Sequence, residues 1–114
     1  MDASSSALTP QRWHELAALH HAGLLDTVAF WERHAVDRDC GGFLYYLDRA
    51  GRPYGTDKPV WLLGRTVWLF ATLYTAVEPR PAWLALARHA WDFLDRHAFA
   101  EDGKMYFLLD RKGR

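Results

Sequence analysis

The end of the chain repeats its own middle. "FWERHAVDRDCGGFLYYLDRAGR" (30–52) and "FLDRHAFAEDGKMYFLLDRKGR" (93–114) share Phe30/Phe93, Arg33/Arg96, His34/His97 and Ala35/Ala98. After one residue of slippage they share Gly41/Gly103, Leu47/Leu109, Asp48/Asp110, Arg49/Arg111, Gly51/Gly113 and Arg52/Arg114. A period of about 62 residues has the scale of one supersecondary unit, and such units bury their apolar faces only by stacking on neighbours.

Each copy runs from the end of a helix, through a glycine-bearing loop, into a hairpin. Thr9-Pro10 is a helix start, with a capping hydroxyl before a proline at the first helical position. Trp13, Leu16, His20, Leu24, Val28 and Trp31 then recur at spacings of three and four, which predicts one face of a helix ending near His34. "GGFLYYLDRAGRPYG" reads as two short strands about Asp48-Arg49-Ala50-Gly51, a type I turn closed by a left-handed glycine. "LDRKGR" (109–114) offers the same turn without its return strand. Thr56 or Asp57 is expected to cap a second helix, with Pro59 in its first turn.

Residues 60–77, "VWLLGRTVWLFATLYTAV", are apolar nearly all round. The run reaches the lower length limit of a membrane span, but Gly64, Arg65 and three threonines favour a helix buried on all sides of a soluble core. Pro79 and Pro81 separate it from a third helix over 82–98. That helix carries an apolar stripe of Trp83, Ala87, Ala90 and Leu94, widened by Leu84 and Trp91. Arg88, His89, Asp92, Asp95 and Arg96 are expected to face water.

Outer amphipathic helices alternating with inner apolar ones, joined by hairpins on one side, describe an α/α toroid. The expected fold is all-α, a helical-hairpin segment of an (α/α)6 barrel with short β-hairpins between helices. A ring of six such hairpins needs about 370 residues, so this chain reads as a fragment, about the first third. Residues 1–8 read as a flexible terminus and 9–114 as the partial barrel domain.

Composition narrows the functional classes. Half of the residues are hydrophobic and formal net charge is zero, so no basic patch points to nucleic acid. Zero net charge also leaves little to oppose homodimerisation or other self-association. Cys40 is alone, which excludes a disulfide framework and a cysteine-based zinc site. The six histidines form no metal pattern; His34 and His97, near helix C-termini, read as structural. With no signal peptide visible and one cysteine, a cytoplasmic location is expected, without membrane contact.

Arg65 is the residue most in need of explanation. A guanidinium keeps its charge, and an unpaired charge inside an apolar helix bundle is very costly. Two readings are open: an ion pair with an acid elsewhere, or a charge kept for an anionic intermediate. Trp61 and Trp68, four before and three after, can share its helix face. They are either core residues or a dry apolar wall around the charged group, with Trp68 expected in the core. Lys58 is expected to meet Asp57 or a neighbouring loop, with no catalytic role.

The segment 30–74 resembles the N-terminal signature of the N-acylglucosamine 2-epimerase superfamily. The resemblance rests on Phe-Trp, an Asp before Gly-Gly-Phe, Leu-Asp-Arg-x-Gly-Arg, and Asp-Lys-x-x-Trp-Leu-x-Gly-Arg-x-x-Trp, in that order. Family members commonly place glutamine on each side of the Gly-Arg pair; here Leu63 and Thr66 stand there. The resemblance implies an (α/α)6 barrel, no cofactor, a mono- or disaccharide substrate, and C2 proton abstraction through an enediolate. It implies a catalytic Arg65, and substrate contacts from Trp61 and from Tyr106, or Phe107 if the register differs by one. It places the catalytic histidines outside these 114 residues. An alternative of another class is a non-catalytic barrel module acting in protein–protein association.

Overall fold

The computed structural model describes residues 8–114, in two compact units, the first up to Arg33 and the second His34–Arg114. The terminus expected to be flexible lies, apart from Leu8, outside the described residues.

The first unit is nearly all of helix α1 (Pro10–His34). Its start is as expected: Thr9 Oγ1 accepts from the Arg12 amide at 3.1 Å, filling one of the donors a helix N-terminus leaves over. Of the face picked out by periodicity, Val28 is buried, Leu16 and Trp31 are half-buried, and Trp13, His20 and Leu24 are exposed.

The second unit holds β1 (Lys58–Pro59), α2 (Val60–Thr72), a π-helical turn at Leu73–Val77, α3 (Pro81–His97) and β2 (Leu108–Leu109). The expected cap on α2 is not found. Pro59 occupies the N-cap, no side chain caps the helix, and the Val60 amide donates instead to Phe107 O at 3.1 Å. A strand has taken the place of the cap. β1 pairs antiparallel with β2, Lys58 opposite Leu109 and Pro59 opposite Leu108, so "LDRKGR" is entered from a strand that pairs back in sequence. The hairpins themselves reduce to single bridges, Val36–Phe43, Leu47–Pro53 and Phe99–Met105.

The helix over 60–77 is not buried all round. Val60, Leu63, Thr66, Phe70 and Leu73 are covered, whereas Trp61, Arg65 and Trp68 are exposed. α2 packs on α3, so the covered stripe is the one that faces that helix. The helix closes on a wider turn in which the Glu78 amide donates to Leu73 O at 3.0 Å. α3 buries Trp83, Ala87, Ala90 and Leu94 as expected, and Leu86 and Phe93 as well; Leu84 is half-buried and Trp91 exposed.

The sequence repeat is a structural repeat. In the first copy Gly51 N donates to Asp48 O and Asp48 N to Arg52 O; in the second Gly113 N donates to Asp110 O and Asp110 N to Arg114 O. Asp48 Oδ1 accepts the amides of Ala50 and Arg52, and Asp110 Oδ1 those of Lys112 and Arg114. Gly51 and Gly113 take φ of 89° and 93°. Each presses so closely on a histidine ring, His34 and His97 respectively, that a Cβ would overlap it. That contact explains why those two histidines recur with their glycines. The loops before the turns also correspond: Leu44 N donates to Ala35 O as Tyr106 N does to Ala98 O. Phe43 and Leu44 are buried, while their counterparts Met105 and Tyr106 are exposed.

Candidate active site

The exposed face of α2 and the segment 105–107 form a groove. Val60, Trp61 and Gly64 make one wall and Met105, Tyr106 and Phe107 the other, around about 370 Å³. Two main-chain links set the walls apart, Val60 N to Phe107 O and the β1–β2 pairing. Trp61 is 60% and Tyr106 50% exposed. An aromatic plate opposite a phenol hydroxyl provides apolar stacking surface and a donor–acceptor group, a combination suited to a sugar ring.

Of the residues singled out in the sequence, Trp61 and Tyr106 are therefore brought together, and Phe107 lines the same groove. Arg65 lies one turn beyond Trp61, outside the groove lining, with its guanidinium 5.7 Å from the centre of the Trp68 ring. The premise that it is buried is corrected: the side chain is exposed, because the covered stripe of α2 runs along the opposite face. No acid is needed to pair it, and its donors are available. Trp68, expected to be core, is exposed beside it.

Behind this surface lies a buried polar cluster that the sequence did not reveal. Asp37 and Lys58 are 1% and 0% exposed. Lys58 Nζ donates to Asp37 Oδ2 at 2.8 Å, Gly41 O at 2.7 Å and Arg111 O at 2.7 Å, using all three of its hydrogens. It also lies 4.3 Å from the centre of the Phe93 ring. Arg111 grips the same carboxylate with two nitrogens, Nε to Oδ2 at 3.0 Å and Nη2 to Oδ1 at 3.1 Å. The amides of Asp39 and Cys40 donate to Oδ1. Burial pushes the Asp37 pKa up, but the bonds from Arg111, Lys58 and the Cys40 amide outweigh it and hold the carboxyl well below the usual carboxylate range.

His89, expected to face water, is half-buried. Its Nε2 lies 2.9 Å from Gly42 O and 3.2 Å from Asp37 O. Both are carbonyl acceptors, so Nε2 carries the proton. Lys58 does meet a neighbouring loop, through Gly41 O, but not Asp57. Arg111 is the repeat mate of Arg49, whereas the second copy has Ala100 where the first has Asp37 after His-Ala-x. That asymmetry was the one visible hint that Asp37 serves both copies. Among the described residues no three of His, Cys, Asp and Glu are grouped to hold a metal.

Residues 15–114 match the N-acylglucosamine 2-epimerase (GlcNAc 2-epimerase) family. The chain belongs to this family. The N-acylglucosamine 2-epimerase of Mus musculus is 43% identical over 91 residues, 76% of this chain and 22% of that protein. That of Homo sapiens is 40% identical over 110 residues, 93% of this chain and 25% of that protein. This member of the family thus spans about a quarter of the length of the curated relatives it matches. Cellobiose 2-epimerase from Bacillus thermoamylovorans superposes with a TM-score of 0.70 at 26% identity, covering 79% of this chain and 24% of that one. Cellobiose 2-epimerase from Spirochaeta thermophila gives 0.80 at 24% identity over 95% of this chain and 27% of that one, which supports the fold. The fold is a segment of the (α/α)6 barrel, mostly helical with one small two-stranded sheet.

Proposed function

We propose that this chain contributes one side of the active site of a carbohydrate 2-epimerase or aldose–ketose isomerase. Trp61 offers its face to the apolar side of the sugar, and Tyr106 hydrogen-bonds a hydroxyl from across the groove. Removal of the C2 proton from the ring-opened sugar leaves negative charge on the carbonyl oxygen. The Arg65 guanidinium presents planar paired donors, which suit the two oxygens of an enediolate. The base is a histidine from outside these residues, so the 114-residue chain alone does not turn over sugar.

The observation that carries this reading is the exposure of Trp61 and Arg65 on one face of α2, beside a groove that Tyr106 completes. The test is solvent exchange. The protein made from its complete reading frame is incubated in D2O with N-acetylmannosamine, mannose and cellobiose, and proton NMR follows C2. Deuterium entering C2 of one of these sugars, and failing to enter with Arg65→Ala, is the expected result. No exchange at C2 of any of the three, with mixing into protein complexes instead, would favour the association module.

A further inference from the structure

We propose that Lys58 is a positioning residue of the sugar groove: it ties the helix wall that carries Trp61 to the strand wall that carries Tyr106. The groove's walls are the first turn of α2 and the segment 105–107. What joins them in the main chain is slight, two residues of β1 against two of β2 and the Val60–Phe107 bond. A ladder that short holds no register by itself. Lys58 sits in that ladder, three residues before Trp61. Its ammonium reaches the far wall's continuation at Arg111 O and the loop after α1 at Asp37 and Gly41 O.

Three features make this a device for position. The ammonium is fully sealed and its three hydrogens go to two separate stretches of chain, the loop at Asp37 and Gly41 and the turn at Arg111, so a shift of one against the other breaks a bond in a place without water to replace it. Arg111 is held twice, by its carbonyl on Lys58 and by its guanidinium on Asp37, so the turn after β2 does not pivot about one contact. The Phe93 ring of α3 backs the ammonium. Lys58 does not line the groove, so it acts through Trp61 and Tyr106 and not on the substrate.

This rests on the reading of the groove as a sugar site, and the experiment separates the two. The full chain is labelled with 5-fluorotryptophan, and the Trp61 and Trp83 fluorine resonances are assigned from Trp61→Phe and Trp83→Phe. In Lys58→Met the Trp61 resonance is expected to move or broaden while that of Trp83, sealed within α3, stays. Lys58→Arg should restore part of the Trp61 signal. In the protein from its complete reading frame, Lys58→Met should lower kcat/KM about tenfold to a hundredfold, the scale of a misplacement of about 1 Å. Its effect should be less than additive with Tyr106→Phe. An unmoved Trp61 resonance, or unaltered kcat/KM at temperatures below a lowered Tm, overturns the proposal. A moved Trp61 resonance without sugar turnover in the unsubstituted protein upholds the positioning and sinks the sugar reading alone. If Lys58→Met does not fold, Lys58→Gln, which keeps hydrogen-bond donors but loses the charge and the third hydrogen, takes its place under the same criteria.

Discussion

Lys58 and Asp37, 21 residues apart, meet at 2.8 Å with both side chains sealed from solvent. Burying a pair of charges helps a fold only when every remaining lone pair and proton is satisfied. That condition holds here: the carboxylate accepts from Lys58, Arg111 and two amides, and the ammonium spends all three hydrogens.

The consequence is acid sensitivity. The folded Asp37 carboxyl stays ionised well below the range of a free aspartate. The unfolded chain therefore binds the extra proton first, at about pH 4, and stability contributed by Asp37 is full above that pH and falls as pH drops below it. Urea midpoints taken from pH 6 to pH 3 should decline more steeply in the unsubstituted chain than in Asp37→Asn, which should be weaker at pH 6. Parallel declines would show that Asp37 titrates alike in both states.

Gly51 and Gly113 should fail in the same way. At each, alanine meets positive φ and a histidine ring together. Gly103 also has positive φ, 84°, but open space where a Cβ would point. Backbone strain of this kind costs about 1–3 kcal/mol. Gly103→Ala should show that loss, and Gly51→Ala and Gly113→Ala more, by chemical denaturation. His97→Ala should recover part of the loss in Gly113→Ala. Equal losses at all three glycines would remove the ring contact from the explanation of the repeat.

Local patterns were legible and distant ones were not. Thr9-Pro10, the turn glycines and the span of α3 follow from capping chemistry, left-handed φ and a 3.6-residue period, which neighbouring residues encode. The coverage of α2 does not, because an apolar stretch all round carries no mark of which side has a partner. Asp37, Lys58 and Arg111 come together across up to 74 residues, and no local period reports such a meeting. His89 was misread because a histidine among charged residues on an amphipathic helix looks solvated, whereas two loop carbonyls claim its proton. Trp61 and Tyr106, singled out in the sequence, line one groove; the buried cluster behind it carried no local signal.

Tyr45 should titrate late. Its hydroxyl lies 2.8 Å from Thr66 Oγ1, and Thr66 spends its own hydrogen on Leu62 O. Tyr45 is therefore the donor and must keep its proton for the bond. Burial raises its pKa well above that of a free tyrosine. The stability it contributes is full below about pH 10 and falls as pH rises above that, because the unfolded phenol ionises first. Ultraviolet titration should show one of the tyrosines ionising only with unfolding, and Tyr45→Phe should remove that step. Tyr45→Phe should cost about 0.5–1.5 kcal/mol.

Arg65 should separate catalysis from stability. Its side chain is exposed and its described neighbour is the Trp68 ring. An exposed cation–π contact is worth about 0.5–1 kcal/mol, so Arg65→Ala should change Tm little. If the guanidinium holds the developing enediolate, the same substitution in the protein from its complete reading frame should lower kcat a hundredfold or more, about 3 kcal/mol. KM should move less, because the contact strengthens as charge develops. Lysine keeps the charge but lacks the planar fork that meets two oxygens, so Arg65→Lys should rescue poorly. The measurements are kcat and KM for both variants beside thermal melts. A normal kcat with a clearly lowered Tm would make Arg65 a structural residue and withdraw it from the chemistry, leaving Trp61 and Tyr106 to be tested as a binding surface alone.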